Sequence, residues 1–210
     1  MASVRNRLLQ LAIPLVQSHG FTRQTLAQSV LALPAAHPEP LSETAVSSLF
    51  GEGDEARRTL INAWLDHGRT QMRISPSNNI RDVLASRLRY NEPVIALLPE
   101  AFATLSTPDH IPFVDPRPAL SHVAQVAEEA CRVTNDQTVG PSWYARRVSI
   151  TAVYTAAELH QLTSPETAYD FLDDLLKSSD KIESTLKETS MFTDFIAKSW
   201  VGIFKSRGIV

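Results

Sequence analysis

Residues 143–162 read WYARRVSITAVYTAAELHQL, and the fold turns on how this stretch is wound. Val148, Ile150, Val153 and Tyr154 surround a helical axis and do not line one stripe, the pattern of a helix buried on several sides. It therefore reads as the central helix of an all-helical body. On its N-terminal side, "ALSHVAQVAEEACRV" (119–133) is a second long helix, separated from it by "TNDQTVGPS". On its C-terminal side, "SPETAYDFLDDLLKSSDKIESTL" (164–186) repeats Phe171, Leu172, Leu175, Ile182 and Leu186 at helical spacing. Ser164 reads as its N-cap, with Pro165 at the first helical position.

Working outward, "IRDVLASRLRYN" (80–91) and "EPVIALLPEAFATLS" (92–106) are helical, with Pro99 expected to divide the second. "TPDHIPFVDPRP" is a Pro-rich loop. Toward the N-terminus, Val4, Leu8, Leu11, Ala12 and Leu15 lie on one helical face, and Gly20 reads as a C-terminal cap. A short helix carrying Leu26, Val30 and Leu33, a third opening at the cap Ser42, and "ARRTLINAWLDHGRTQM" (56–72) complete a helix-turn-helix-like outline. With 7 Gly against 13 Pro and no strand pattern, the chain is all-α. The expected organisation is a helix-turn-helix-like subdomain at 1–73, a helical body at 74–187 and an amphipathic helix at 188–210.

Composition limits the chemistry. Net charge is −3, which supplies no bulk attraction for nucleic acid. Cys131 is the one cysteine, so there is no internal disulfide framework, and in an apolar helix it reads as a small core residue. No apolar run approaches the roughly 20 residues that span a bilayer. The six histidines form no ligand pairs, and no phosphate loop, dinucleotide fingerprint or nucleophile elbow occurs. No catalytic residue, metal site or cofactor is expected, and a catalytic helical protein is a third reading beside the two argued below. Glu128-Glu129 and Asp173-Asp174 read as solvated helix faces. The first acid is Glu39, and Arg5, Arg7 and Arg23 precede it. Such an acid-free, Arg-bearing start has the form of a mitochondrial presequence. It runs directly into a helix pattern, however, and a trimmed mature chain with an added Met is the preferred reading.

The order of helices resembles TetR-type repressors, and a ligand-responsive repressor is the alternative function. It meets a difficulty in the charges. From Gln24 to Ala56 there is no Lys or Arg, whereas Glu39, Glu43, Glu52, Asp54 and Glu55 all fall there. Phosphate neutralisation supplies most protein–DNA affinity, so no nucleic-acid partner is expected. In such a body Leu84, Leu88, Val94, Ile95, Leu98, Phe102, Val123, Val126, Ile150, Val153 and Tyr154 are the candidates to line a lipid cavity. Simple core packing competes with that role.

The stretch "MFTDFIAKSWVGIFKSRG" (191–208) puts Phe192, Phe195, Ile196, Trp200, Ile203 and Phe204 on one helical stripe. Lys198, Lys205 and Arg207 flank it, and all five lysines of the chain fall in its last 34 residues. A basic aromatic amphipathic helix has the form of an interfacial membrane anchor. The protein's own core is the other candidate to cover that stripe.

Several motifs together resemble the Coq-nine family of ubiquinone-biosynthesis accessory proteins. They are Asp136 and Thr138, Trp143-Tyr144, Arg146-Arg147, Val153-Tyr154, Glu158-Leu159, Ser164-Pro165, Thr167 and Phe171-Leu172. Asn135 stands where the family pattern has Gly, and Gly140 where it has a second Asp. The resemblance implies a TetR-like fold without DNA binding and a hydrophobic pocket for an isoprenoid quinone or phospholipid. It also implies a terminal helix on the matrix side of the inner mitochondrial membrane. The implied partner is the di-iron demethoxyubiquinone hydroxylase, docking around Trp143, Tyr144 and Arg147 with Asp136 nearby; a homodimer is also compatible.

Overall fold

A computed structural model of the chain describes residues 2–34, 38–75, 77–107 and 114–182. Every regular element among them is helical, as the patterning requires. The chain divides into two compact units. Unit 1 comprises residues 1–67 and 96–115, and unit 2 comprises residues 68–95 with those from 116 onward. The segment after Ile95 thus joins the N-terminal unit, a division that differs from the expected linear one.

Unit 1 contains α1 (Ala2–Ala12), α2 (Val16–His19), α3 (Arg23–Gln28), α4 (Glu43–Phe50), α5 (Asp54–Gln71) up to His67, and α7 (Leu98–Ser106). Local signals set its joints. Gly20 ends α2 and donates to the Val16 carbonyl, and the Ser42 hydroxyl accepts from Ala45 N at the start of α4. Pro14 lies in a 3-10 turn, Ile13–Leu15, which tightens the winding beyond α1. The buried set therefore becomes Leu8, Leu9, Ala12, Ile13 and Val16, while Val4 is exposed. Pro99 divides its segment as expected, with a 3-10 stretch at Glu92–Leu97 and α7 beginning at Leu98. Arg58 closes the other end of α7 by donating to the carbonyls of Thr104 and Thr107.

Unit 2 contains α6 (Ile80–Asn91), α8 (Arg117–Val133), α9 (Pro141–Thr163) and α10 (Ala168–Ile182). Helices α8 and α9 run antiparallel, with Glu128 meeting Arg147 near one end and His122 meeting Glu158 toward the other. Small residues at Ala127, Ala130 and Ala157 let the helices close upon each other, filled out by Leu84, Leu88, Val126 and Leu172. The Arg81 guanidinium grips both carboxylate oxygens of Asp173 and ties α6 to α10. Gly68 passes so close to Tyr90 that a Cβ would lie 2.6 Å from its ring.

Two local expectations are corrected. Ser164 does not cap α10: its amide closes α9 on the His160 carbonyl, its side chain makes no cap, and a 3-10 turn at Pro165–Thr167 intervenes. The short connection leaves Ser164 serving the helix behind it. Glu129 is not a solvated residue. It is buried and accepts from Arg73 and Arg132, so its charge is compensated inside the fold.

Candidate functional site

The central helix α9 has two unlike halves. Its first turns carry the motif residues Trp143, Tyr144, Arg146 and Arg147, projecting beyond the packed core. Tyr144 is 68% exposed, Val148 is 52% exposed and Val139, just before the helix, is 81% exposed. Tyr144 and Val148 are four residues apart and so share one face. The expectation that Val148 is buried is therefore corrected: full burial begins at Ile150, two residues later.

This exposed end is stiffly built. The Arg147 guanidinium stands 3.8 Å over the Trp143 ring, donates to Glu128 on α8 and reaches the Trp143 carbonyl. Trp143 and Tyr144 meet edge to face at 4.8 Å. Asp136 turns inward: its carboxylate accepts from the Thr138 amide and lies 3.7 Å from Arg146. Hydrogen bonding to Thr138, opposed by burial, holds the Asp136 carboxyl below its ordinary range. It shapes the loop that presents Val139, and most of its surface is hidden. Asn135, in the place of the family's glycine, has φ 54°, a left-handed conformation that asparagine tolerates better than most residues. Gly140 at φ 62° then admits the turn into α9.

The second half of α9 contributes something that periodicity did not reveal. Tyr154, Glu158 and Gln161 are fully buried and face Arg87 and Asn91 of α6 and His122 of α8. The Tyr154 hydroxyl donates to Glu158 Oε1 at 2.8 Å, and Asn91 Nδ2 donates to the same oxygen and to Gln161 Oε1, each at 3.1 Å. His122 Nε2 lies 3.4 Å from Glu158 Oε1, Arg87 donates to Asn91, and Gln161 donates to the Leu88 carbonyl. Burial pushes the Glu158 carboxyl up, but His122, Arg87 and Tyr154 outweigh it and hold it at about 2. Burial also keeps the Tyr154 phenol protonated, far above its ordinary value. One signal for this cluster was available: Glu158 and Gln161 are polar residues within a helix otherwise read as buried.

Nine of the eleven candidate lipid-lining residues fall in unit 2: Leu84, Leu88, Val94, Ile95, Val123, Val126, Ile150, Val153 and Tyr154. All but Val94 and Ile95 pack into its single core cluster. Leu98 and Phe102 are buried in unit 1 on α7. Ten of the eleven are buried, and Ile95 is half-buried. The two described cavities, of about 330 and 390 Å³, lie in unit 1 and are lined by other residues, among them Arg57 with Glu100 and Arg5 with Asp66. Cys131 is buried, its thiol pushed up to about 11 by burial. The six stripe residues Phe192, Phe195, Ile196, Trp200, Ile203 and Phe204 lie outside the described residues.

Comparison with known proteins falls on the same elements. The COQ9 family model matches residues 117–183, which cover α8, α9 and α10. The chain is 26% identical over 95% of its length to the mitochondrial ubiquinone biosynthesis protein COQ9 of Rattus norvegicus, covering 66% of that protein. It is 23% identical to that of Homo sapiens over 95% of this chain and 64% of the relative. With the Schizosaccharomyces pombe protein it shares 26% identity over 63% of this chain and 53% of the relative. The chain thus spans about two thirds, or less, of the curated relatives it matches. The region that the COQ9 family model matches thus holds the exposed aromatic face and, on α8 and α9, much of the buried polar cluster, and the chain is similar to COQ9 proteins over most of its length.

Proposed function

We propose that this protein is a non-catalytic, lipid-binding accessory factor of ubiquinone biosynthesis in the mitochondrion. It presents isoprenoid quinone intermediates to the demethoxyubiquinone hydroxylase. The observation that carries the reading is the exposed half of α9: a rigid Trp143–Arg147 stack beside open Tyr144 and Val148, within the domain shared with COQ9 proteins. Aromatic and Arg side chains held in fixed rotamers are the residues that dominate protein interfaces, because little entropy remains to be lost on docking. The lipid's apolar body enters unit 2 by parting the packed side chains around Leu88 and Val126, so binding requires a conformational opening.

The stripe from Phe192 to Phe204 anchors the protein peripherally on the matrix face of the inner membrane. No helix among the described residues is long and apolar enough to cross a membrane. A repressor role has less support. Arg23, the first residue of α3, donates to Glu43, Ser47 and the Gly51 and Gly53 carbonyls, binding its own unit together.

Two experiments test this function. Immobilised hydroxylase binds the full chain, and Tyr144→Ala weakens that binding; undiminished binding by the variant overturns the docking face. Liposomes containing cardiolipin float the full chain but not a chain lacking residues 188–210; equal flotation overturns the anchor.

A further inference from the structure

The buried carboxylate of Glu129 is held by more positive charge than it needs. Its side chain is 7% exposed, and Arg73, in the 3-10 turn Met72–Ile74, grips both of its oxygens. Arg73 Nε donates to Oε1 at 2.8 Å and Nη2 to Oε2 at 3.2 Å, a two-point contact that neutralises the carboxylate by itself. Arg132, one turn further along α8, nevertheless donates to the same Oε1. Burial raises the Glu129 carboxyl, but hydrogen bonds from the two arginines outweigh it and hold it below its ordinary range, so it is ionised at neutral pH. Two guanidinium cations therefore meet at one oxygen with a single negative charge between them. One positive charge is left over.

That surplus faces water. The side chains of Arg73 and Arg132 are 51% and 55% exposed. Among the described residues, Arg73 Nη1 and Arg132 Nε and Nη1 meet no acceptor. Acceptors close by are already engaged. Glu128 pairs with Arg147, and the carbonyls of Ala130, Cys131 and Arg132 receive the amides of Thr134, Asp136 and Asn135. The second arginine is thus not spent on closing the end of α8. Guanidinium groups already fixed by a buried carboxylate have little freedom to lose when a ligand arrives. One fork saturates a carboxylate, whereas a phosphoryl group offers three strong acceptor oxygens and can bridge two forks.

We propose that Arg73 and Arg132, braced from within by Glu129, form an anion site in unit 2 that binds the phosphoryl group of a phosphate monoester. None of the three residues belongs to the lipid, membrane or hydroxylase surfaces assigned above, so the site stands or falls apart from them. A soluble phosphate ester and a phosphatidic acid head group share the chemistry that the clamp reads.

The test titrates the full chain calorimetrically with glycerol phosphate and, as the carboxylate control, with glycerate. A parallel arm measures binding to phosphatidylcholine vesicles with and without phosphatidic acid. The phosphate form, free or on the vesicle, is expected to bind at least about tenfold more tightly than its control, and Arg132→Gln to remove that preference, as loss of a hydrogen bond between charged groups warrants. Arg132→Gln leaves Glu129 paired with Arg73, and its urea midpoint checks that it folds. A response to glycerol phosphate identifies a soluble ester; a response confined to phosphatidic acid vesicles and lost in Arg132→Gln identifies a head group. Binding of neither phosphate form, equal binding of the controls, or a preference that survives Arg132→Gln overturns the site. If Arg132→Gln does not fold, Arg132→Lys takes its place: it keeps the charge, gives up the fork and is expected to bind at least about threefold more weakly.

Discussion

The two halves of α9 reverse the usual arrangement of a globular helix. Its outer half shows water Tyr144 and Val148, and its inner half buries Tyr154, Glu158 and Gln161. Ordinary patterning places apolar groups inside and polar groups outside. The exposed apolar groups carry no visible burden for the fold, so they are free to serve a partner. The buried polar groups bind three helices of unit 2 to one carboxylate, and their loss falls on stability first. One helix thus separates an exposed aromatic and apolar face from a buried polar cluster by about three turns.

The largest expected effect breaks the inner half. Glu158→Ala leaves the Tyr154 hydroxyl, Asn91 and His122 facing an empty space, and removing one partner of a buried charged cluster costs about 3–5 kcal/mol. Urea denaturation of the full chain measures it. The same residue predicts an acid sensitivity. The folded state lowers the Glu158 carboxyl from its ordinary 4.5 to about 2, so its stabilisation is complete above pH 4.5 and is lost as pH falls toward 2. In the Glu158→Ala variant that part of the acid slope disappears.

The second effect breaks the outer half. Tyr144→Ala is expected to weaken hydroxylase binding by about 2 kcal/mol, a hot-spot loss, while stability stays within about 0.5 kcal/mol of wild type. A large stability loss in this variant would erase the contrast between the halves. The third effect concerns the wall of the inner cluster. Gly68→Ala drives a methyl to 2.6 Å from Tyr90 and 3.2 Å from Arg87, and overpacking of this kind costs about 1–3 kcal/mol. The smallest is Arg147→Lys, which keeps the charge but gives up the planar stack on Trp143. We expect about 0.5–1 kcal/mol, read in a double-mutant cycle with Trp143→Ala.

Much of the fold was legible from residue spacing. Helix α6 falls on the expected residues 80–91, Pro99 divides its segment, and Gly20 and Ser42 stand at the ends they were assigned. These features are local, and their causes lie within a few residues of sequence. The grouping of 96–115 with unit 1 was not legible, because it depends on contacts such as Arg58 with Thr104, 46 residues apart. The Trp143–Tyr144–Arg147 motif was visible as a motif, yet the inward turn of Asp136 follows from its bond to Thr138 and the left-handed Asn135. The buried cluster escaped notice because Tyr154 was grouped with its apolar neighbours, and its partners Asn91 and His122 lie on other helices. Glu129 misled for the same reason, since its compensating Arg73 is 56 positions away.

Native mass spectrometry of the full chain, purified from a host that makes ubiquinone, addresses the lipid-presenting role most directly. The account predicts a co-purifying prenylated ring or phospholipid released on gentle activation. A chain that arrives free of lipid, and remains so after incubation with ubiquinone precursors, contradicts it.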